Sequence, residues 1–119
     1  MKLPLSAFII CQDEERFIEP CIRSLGMCSE IVVVDSGSTD RTLEILAALK
    51  DEGFPLLILS EKWRGYGGQK QFAMERCTEP WCLSIDSDER VSPHLAAELP
   101  RLLAEPDVAG WRVTRYPYL

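Results

Sequence analysis

The five cysteines contain no CxxC pair, and His94 is the single histidine. Zinc sites need closely spaced Cys and His ligands, and secreted disulfide scaffolds use an even set of cysteines, so neither organises this chain. Cys11, Cys21, Cys28, Cys77 and Cys82 are read instead as small hydrophobes in a reducing compartment. No apolar stretch reaches the ~18 residues of a membrane-spanning helix. The apolar run Ala7–Cys11 is too short for a signal peptide, and it ends in Gln12-Asp13-Glu14-Glu15 without a cleavage signature. A cytoplasmic location is expected. No basic stripe is present either, and the net charge is −6. Nucleic acid is therefore excluded as a partner, because neutralising phosphates takes clustered Lys and Arg. A phosphate-bearing ligand would need a metal cation or a few placed basic side chains. Repeats, linkers and low-complexity segments are missing as well, so residues 1–119 are expected to form one domain.

What is present is alternation. Leu5–Cys11 reads as a buried strand, followed by a helix from about Glu14 to Leu25 with Phe17, Ile18, Cys21, Ile22 and Leu25 at helical spacing and Gly26 as its stop. Ile31–Val34 is a β-branched run, as expected of a strand covered on both faces. Asp40 or a neighbour caps a second helix, in which Leu43, Leu46, Ala47 and Lys50 lead to Gly53. Leu56–Leu59 is a third strand. A Gly-rich joint, Gly65-Tyr66-Gly67-Gly68, precedes a helix over Gln69–Arg76, and Trp81–Ile85 is a fourth strand. Ser92 and Pro93 begin a helix that runs to Leu103, with Pro100 shortening or kinking it. Gly110–Arg115 is expected as a last strand. Short joints between alternating elements imply an α/β fold with a mainly parallel sheet flanked by helices. In such sheets ligands sit beyond the carboxyl ends of the strands, near the switch in strand order. Polar residues gather at those ends here, in Gln12-Asp13-Glu14, Asp35-Ser36 and Asp86-Ser87-Asp88.

Three segments carry chemistry. In Leu83-Ser84-Ile85-Asp86-Ser87-Asp88-Glu89 a strand delivers two carboxylates at i and i+2, which on an extended segment point the same way. Hard carboxylate oxygens suit Mg²⁺ or Mn²⁺, and such a cation can neutralise a departing diphosphate. In Ile31-Val32-Val33-Val34-Asp35-Ser36-Gly37-Ser38-Thr39-Asp40 a tight turn accounts for Gly37 to Asp40. It leaves Asp35 unexplained, because a charge at a sheet's end is costly without a partner; a base N–H or ribose hydroxyl would supply one. In Trp63-Arg64-Gly65-Tyr66-Gly67-Gly68-Gln69-Lys70, glycines before a helix suit a phosphate, with Lys70 as counter-charge.

Together with Phe8-Ile9-Ile10-Cys11-Gln12-Asp13-Glu14-Glu15, these segments resemble the family-2 glycosyltransferases of the GT-A (Rossmann-like) fold, within it the branch of lipopolysaccharide-core β-1,4-glucosyltransferases. The resemblance runs from Ala7 to Tyr116 with all motifs in order. It implies the nucleotide-sugar-binding half of an enzyme that transfers a sugar, expected to be glucose, from a UDP-sugar to a saccharide or lipid-linked acceptor with inversion. It further implies that Glu14 and the backbone near Cys11 line the nucleotide pocket and that Asp35 recognises the uracil or ribose end. Lys70 would lie near the nucleotide or its phosphates. Asp86 and Asp88 would be the family's DxD pair, Asp88 the main ligand of a divalent cation, Mn²⁺ or Mg²⁺, and Asp86 nearer the ribose and metal. The family setting implies cell-envelope polysaccharide or lipopolysaccharide synthesis at the inner face of the membrane, and it admits peripheral membrane association and a homo-oligomer.

This sequence departs from the family pattern in the first motif, where Asp13 replaces Asn, and Cys11 and Gln12 replace commoner Thr and Lys or Tyr types. Asp13 places an extra negative charge beside a phosphate-binding site. The chain is also half the usual length, so the acceptor-binding part and the general base are expected to lie outside it, with Glu89 the remaining candidate base. Two rivals are weighed. A nucleotidyltransferase would place a basic Gly-rich loop after the first strand, where this chain is acidic. A non-catalytic nucleotide-binding or dimerising module would expose apolar surface from Trp111, Tyr116 and Tyr118.

Overall fold

The structure, a computed structural model, describes residues 2–105 and 107–113. Four parallel strands, β1 (Leu3–Cys11), β2 (Cys28–Asp35), β3 (Leu56–Ser60) and β4 (Trp81–Ser84), form one sheet in the order β3-β2-β1-β4. Helices α1 (Ile18–Arg23), α2 (Thr42–Glu52), α3 (Gly65–Met74) and α4 (Pro93–Leu103) alternate with them. The chain moves outward from β1 to β2 to β3, then crosses back to lay β4 on the far side of β1. Right-handed crossovers place helices on opposite faces when the direction of travel reverses, and the core divides accordingly. Odd-numbered Leu5, Ala7, Ile9, Ile31 and Val33 pack with Ile18, Cys21, Ile22, Leu46, Leu49 and Leu99 in the larger cluster. Even-numbered Phe8, Val32 and Val34 pack with Ala73 of α3 in the smaller one. The apolar runs are thus continuous because both faces of the sheet are covered.

Helix ends follow local chemistry in part. Ser92 Oγ accepts from Leu95 N–H at 3.1 Å and Pro93 opens α4, which continues through Pro100 to Leu103. Gly53 ends α2 with φ 121°, open to glycine at no steric cost. Asp40 Oδ1 accepts from Thr42 N–H at 2.9 Å and so caps α2 from two residues before its start.

Three expectations are corrected. The first helix starts at Ile18, not Glu14, because a helix begun at Glu14 would bury Pro20 in its interior; begun at Ile18 it holds Pro20 in the first turn, where a missing N–H costs nothing. Residues before it form a turn closed by Ile18 N–H to Glu14 C=O at 2.9 Å, and Phe17 is left partly exposed under the Arg16 guanidinium. The Gly-rich joint is not a loop, since Gly65-Tyr66-Gly67-Gly68 is the first turn of α3. Residues 110–113 are irregular, and the rest of the strand expected over Gly110–Arg115 lies outside the described residues. Trp111, 43% exposed, rests by β4 and α4 with its indole N–H donating to Leu102 C=O at 2.9 Å; Tyr116 and Tyr118 lie outside the described residues. No described helix is long and apolar enough to cross a membrane.

Candidate functional site

Strand order reverses between β1 and β4, and the carboxyl ends of these two strands open the crevice where parallel sheets bind ligands. Three loops converge there. The loop after β1 is stitched to the loop after β2. Asp13 N–H donates to Ser38 Oγ at 2.8 Å, Glu14 N–H to Thr42 Oγ1 at 2.8 Å, and Glu15 N–H to Asp40 Oδ2 at 3.2 Å. Asp13 Oδ1 accepts in return from Thr39 N–H at 2.8 Å and Asp40 N–H at 3.3 Å. Asp13 has φ 53°, a left-handed conformation that Asp and Asn tolerate better than most residues. Its carboxylate is therefore a cap for the neighbouring loop, and the charge read as an intrusion on a phosphate site serves the backbone. Burial raises the Asp40 carboxyl, but hydrogen bonds from Thr42 and Glu15 outweigh it and hold the group below its ordinary range.

Asp35, 1% exposed, finds its partners in the turn that follows it. Oδ2 accepts from Gly37 N–H and Ser38 N–H, each at 2.9 Å, and Oδ1 accepts from the Ser38 hydroxyl and from Cys11 Sγ at 3.6 Å. The expectation that a ligand must satisfy this carboxylate is corrected: its four acceptor positions are filled from within the protein. Gly37 allows the arrangement with φ 114°. Cys11 lies beside Asp35 in strand register, and burial together with the Asp35 charge pushes its thiol pKa well up. Cys11 C=O accepts from Ser36 N–H at 3.1 Å.

The Asp86-Ser87-Asp88 segment is not extended. β4 ends at Ser84, and residues 86–89 close a turn with Glu89 N–H donating to Asp86 C=O at 2.9 Å. Glu89 Oε1 accepts from Asp86 N–H at 2.8 Å, so Glu89 clasps the turn at both ends. The turn sends its two aspartates to different neighbours. Asp86 Oδ1 stands 3.6 Å from Lys70 Nζ of α3. Asp88, exposed, lies near enough to Glu14 for its charge to raise the Glu14 carboxyl, after burial and against a hydrogen bond from Ser87 that lowers it. Cys21 of α1 lies beneath the turn, its Sγ 3.6 Å from Asp86 C=O.

The tertiary fold therefore gathers Glu14, Lys70, Asp86 and Asp88 around one crevice, with Cys11 at the end of β1 and Asp35 one strand away at the end of β2. Among the described residues no three His, Cys, Asp or Glu side chains are gathered closely enough to hold an ion by themselves. Two hard carboxylates fit Mg²⁺ or Mn²⁺ that completes its shell with phosphate oxygens and water. Two residues of the Gly-rich segment have supporting roles that its sequence does not reveal. Gln69, fully buried, accepts from Arg64 N–H at 3.0 Å and donates to Glu61 C=O at 3.1 Å, fixing the loop before α3 and hence the position of Lys70. Gly68 gives α3 its start, since a Cβ there would meet Arg64 Cβ at 2.9 Å. The partners of the Gln69 amide are backbone groups five and eight residues earlier in the chain, and backbone acceptors and donors leave no signal in residue type or periodicity.

Comparison with known proteins agrees with this fold. The model of a family described as Glycosyl transferase family 2 matches residues 6–118. The chain is 56% identical over 119 residues to the lipopolysaccharide core biosynthesis glycosyltransferase LpsC of Rhizobium meliloti (strain 1021), covering 99% of this chain and 44% of that protein. It thus spans less than half the length of that relative. The crystal structure of S. aureus TarS 1-349 in complex with UDP superposes with a TM-score of 0.75 at 22% identity, covering 97% of this chain and 38% of that one, a likeness of fold. M. tuberculosis glucosyl-3-phosphoglycerate synthase superposes with a TM-score of 0.63 at 26% identity, over 84% of this chain and 39% of that one.

Proposed function

The chain belongs to glycosyl transferase family 2, and on that premise we propose that it binds a UDP-sugar with a divalent cation for transfer of the sugar, glucose, to a saccharide or lipid-linked acceptor. The observation that carries this reading is the convergence of Glu14, Lys70, Asp86 and Asp88 at the switch between β1 and β4. In this reading Asp88 and Asp86 hold Mn²⁺ or Mg²⁺, which when bound neutralises charge on the departing diphosphate. Lys70 faces the nucleotide phosphates, Glu14 and the backbone near Cys11 line the nucleotide pocket, and Asp35 shapes its uracil or ribose end through the Gly37–Ser38 turn. The acceptor hydroxyl attacks the anomeric carbon in line, with inversion. Glu89 is a poor base, because its carboxylate is engaged with the Asp86 backbone. The name of the LpsC relative supports lipopolysaccharide core synthesis as the setting.

The test is thermal unfolding with UDP, GDP, CMP and ADP, each with and without Mn²⁺. A ligand at ten times its dissociation constant stabilises by ~1.4 kcal/mol, a shift on the order of 5 °C for a domain of this size. The expected result is a shift with UDP that needs Mn²⁺ and is lost in Asp88→Ala. Absence of a shift with every nucleotide overturns the reading. The apolar groove beside β4 and α4, lined by Leu5, Trp81, Leu83, Leu99 and Trp111, favours a second reading, a module that pairs with its own copy. A dimer in sedimentation, together with no nucleotide response, would put that reading first.

A further inference from the structure

We propose that Cys77 and Cys82 form a reversible intramolecular disulfide that ties the end of α3 to the start of β4. Cys77 follows α3 and packs against the Phe8, Val32, Val34 and Ala73 cluster on that face of the sheet. Cys82 is the second residue of β4, where the register pairs it with Ser6 and pairs Ser84 with Phe8. Laterally paired residues of parallel strands share a face, so Cys82, Ser6 and Phe8 stand on the side that Cys77 occupies. Burial raises the Cys77 thiol, and Cys82 lies near enough for its charge to raise it further, with Ser6 beside them as the lateral partner of Cys82. The short connection between them is anchored, not loose. Thr78 N–H donates to Glu30 Oε1 at 2.9 Å, Glu79 N–H donates to Ser6 Oγ at 3.2 Å, and Ser6 Oγ in turn donates to Glu30 Oε1 at 2.8 Å. Cys77 Sγ also reaches Ala73 C=O at 3.8 Å.

Exposure assigns the order of events. Cys82 is exposed and Cys77 half-buried, whereas Cys11, Cys21 and Cys28 are enclosed in the larger core. The Cys82 thiolate attacks the disulfide of oxidised glutathione, the S–S bond breaks, and one glutathione leaves as a thiolate that takes up a proton. The Cys77 sulfur, having lost its proton to solvent, then attacks the Cys82 sulfur and expels the second glutathione. Two electrons pass from the cysteine pair to the oxidant, which ends as two thiols. The bridge joins the helix that carries Lys70 to the strand that leads to Asp86.

The test uses the reduced chain and oxidised glutathione in mildly alkaline buffer, followed by acid quenching, alkylation of the denatured protein with N-ethylmaleimide, trypsin and mass spectrometry. One tryptic peptide, Cys77–Arg90, contains both cysteines. The expected result is that this peptide loses both alkylation sites and is lighter by two hydrogen atoms than its dithiol form. Dithiothreitol should restore both sites, and Cys11, Cys21 and Cys28 should stay fully alkylated. In Cys77→Ser, Cys82 should accumulate as its mixed disulfide with glutathione. Accumulation of that mixed disulfide in the unsubstituted chain, or full alkylation of both cysteines after oxidant, overturns the proposal.

Discussion

Lys70 Nζ lies 3.6 Å from Asp86 Oδ1, so α3 brings its cation against the first carboxylate of the turn after β4. Both side chains are about two-fifths exposed, 40% and 43%. A pair this open contributes little to stability, on the order of 0–1 kcal/mol. Lys70→Met should therefore leave the unfolding midpoint nearly unchanged while weakening UDP binding in Mn²⁺ roughly tenfold, the worth of ~1.4 kcal/mol. Lys70→Arg should recover most of the affinity. Calorimetric titration beside thermal unfolding checks this; a loss of stability as large as the loss of affinity would mark the pair as structural.

Glu89 should prove a positioning residue. Its Oε1 accepts from Asp86 N–H at 2.8 Å, and losing one such bond to a charged acceptor costs roughly 1.5–3 kcal/mol. Glu89→Ala should lower both the unfolding midpoint and nucleotide affinity by releasing the turn. Glu89→Gln, which keeps an acceptor oxygen, should retain most of both. Equal damage from the two substitutions would show that the charge matters instead of the acceptor.

Asp35 is expected to dominate the stability of the loop after β2. Asp35→Ala leaves Gly37 N–H and Ser38 N–H without the acceptor that each meets at 2.9 Å. Two unsatisfied donors cost on the order of 3 kcal/mol, which for a domain of this size lowers the midpoint by roughly 10 °C. Asp35→Asn keeps one acceptor oxygen and should lose about half as much. Differential scanning calorimetry of both variants would decide it, and a midpoint within ~2 °C of the parent for Asp35→Ala would refute this role.

Alkaline pH should destabilise the fold through its enclosed thiols. Burial pushes Cys28 up to about 11 and Cys21 up to about 12, from an unfolded value of 9.0. A group whose folded pKa is raised contributes its stability fully below the unfolded pKa and loses it as pH rises toward the folded one. The midpoint under reducing conditions should therefore be insensitive to these thiols below pH 9 and fall above it, each thiol costing ~1.4 kcal/mol one pH unit beyond. Cys28→Ala should reduce the slope of that fall; an unchanged slope would remove Cys28 from the account.

Much of this was legible in local sequence. The β-branched run Ile31–Val34 could only be a covered strand, Ser92 and Pro93 could only open a helix, and Gly53 could only close one. The convergence of Glu14, Asp35, Asp86 and Asp88 at strand ends followed from the alternation of elements. Where the reading went astray, a local preference competed with something longer in range. Glycines at 65, 67 and 68 favour a loop by propensity, yet they are helical because Gln69 pins Arg64 and Glu61 to the first turn of α3. Asp35 looked unpartnered because its side chain caps its own turn, through Gly37 N–H and Ser38 N–H two and three residues on, and because Cys11 reaches it only through strand register.

The sequence by itself determined the alternating α/β layout, the positions of caps and turns, and the set of carboxylates offered at the sheet's edge, since each depends on residues within a few positions of one another. Only the tertiary structure decided which of them meet. The crossover from β3 to β4 carries α3 to the opposite face, and the register that pairs Phe8 with Ser84 sets Asp86 before Lys70 and Ser87 before Glu14. Parallel pairing joins strands separated by scores of residues, so its register is chosen by packing both faces of the sheet at once, which no local stretch of sequence encodes.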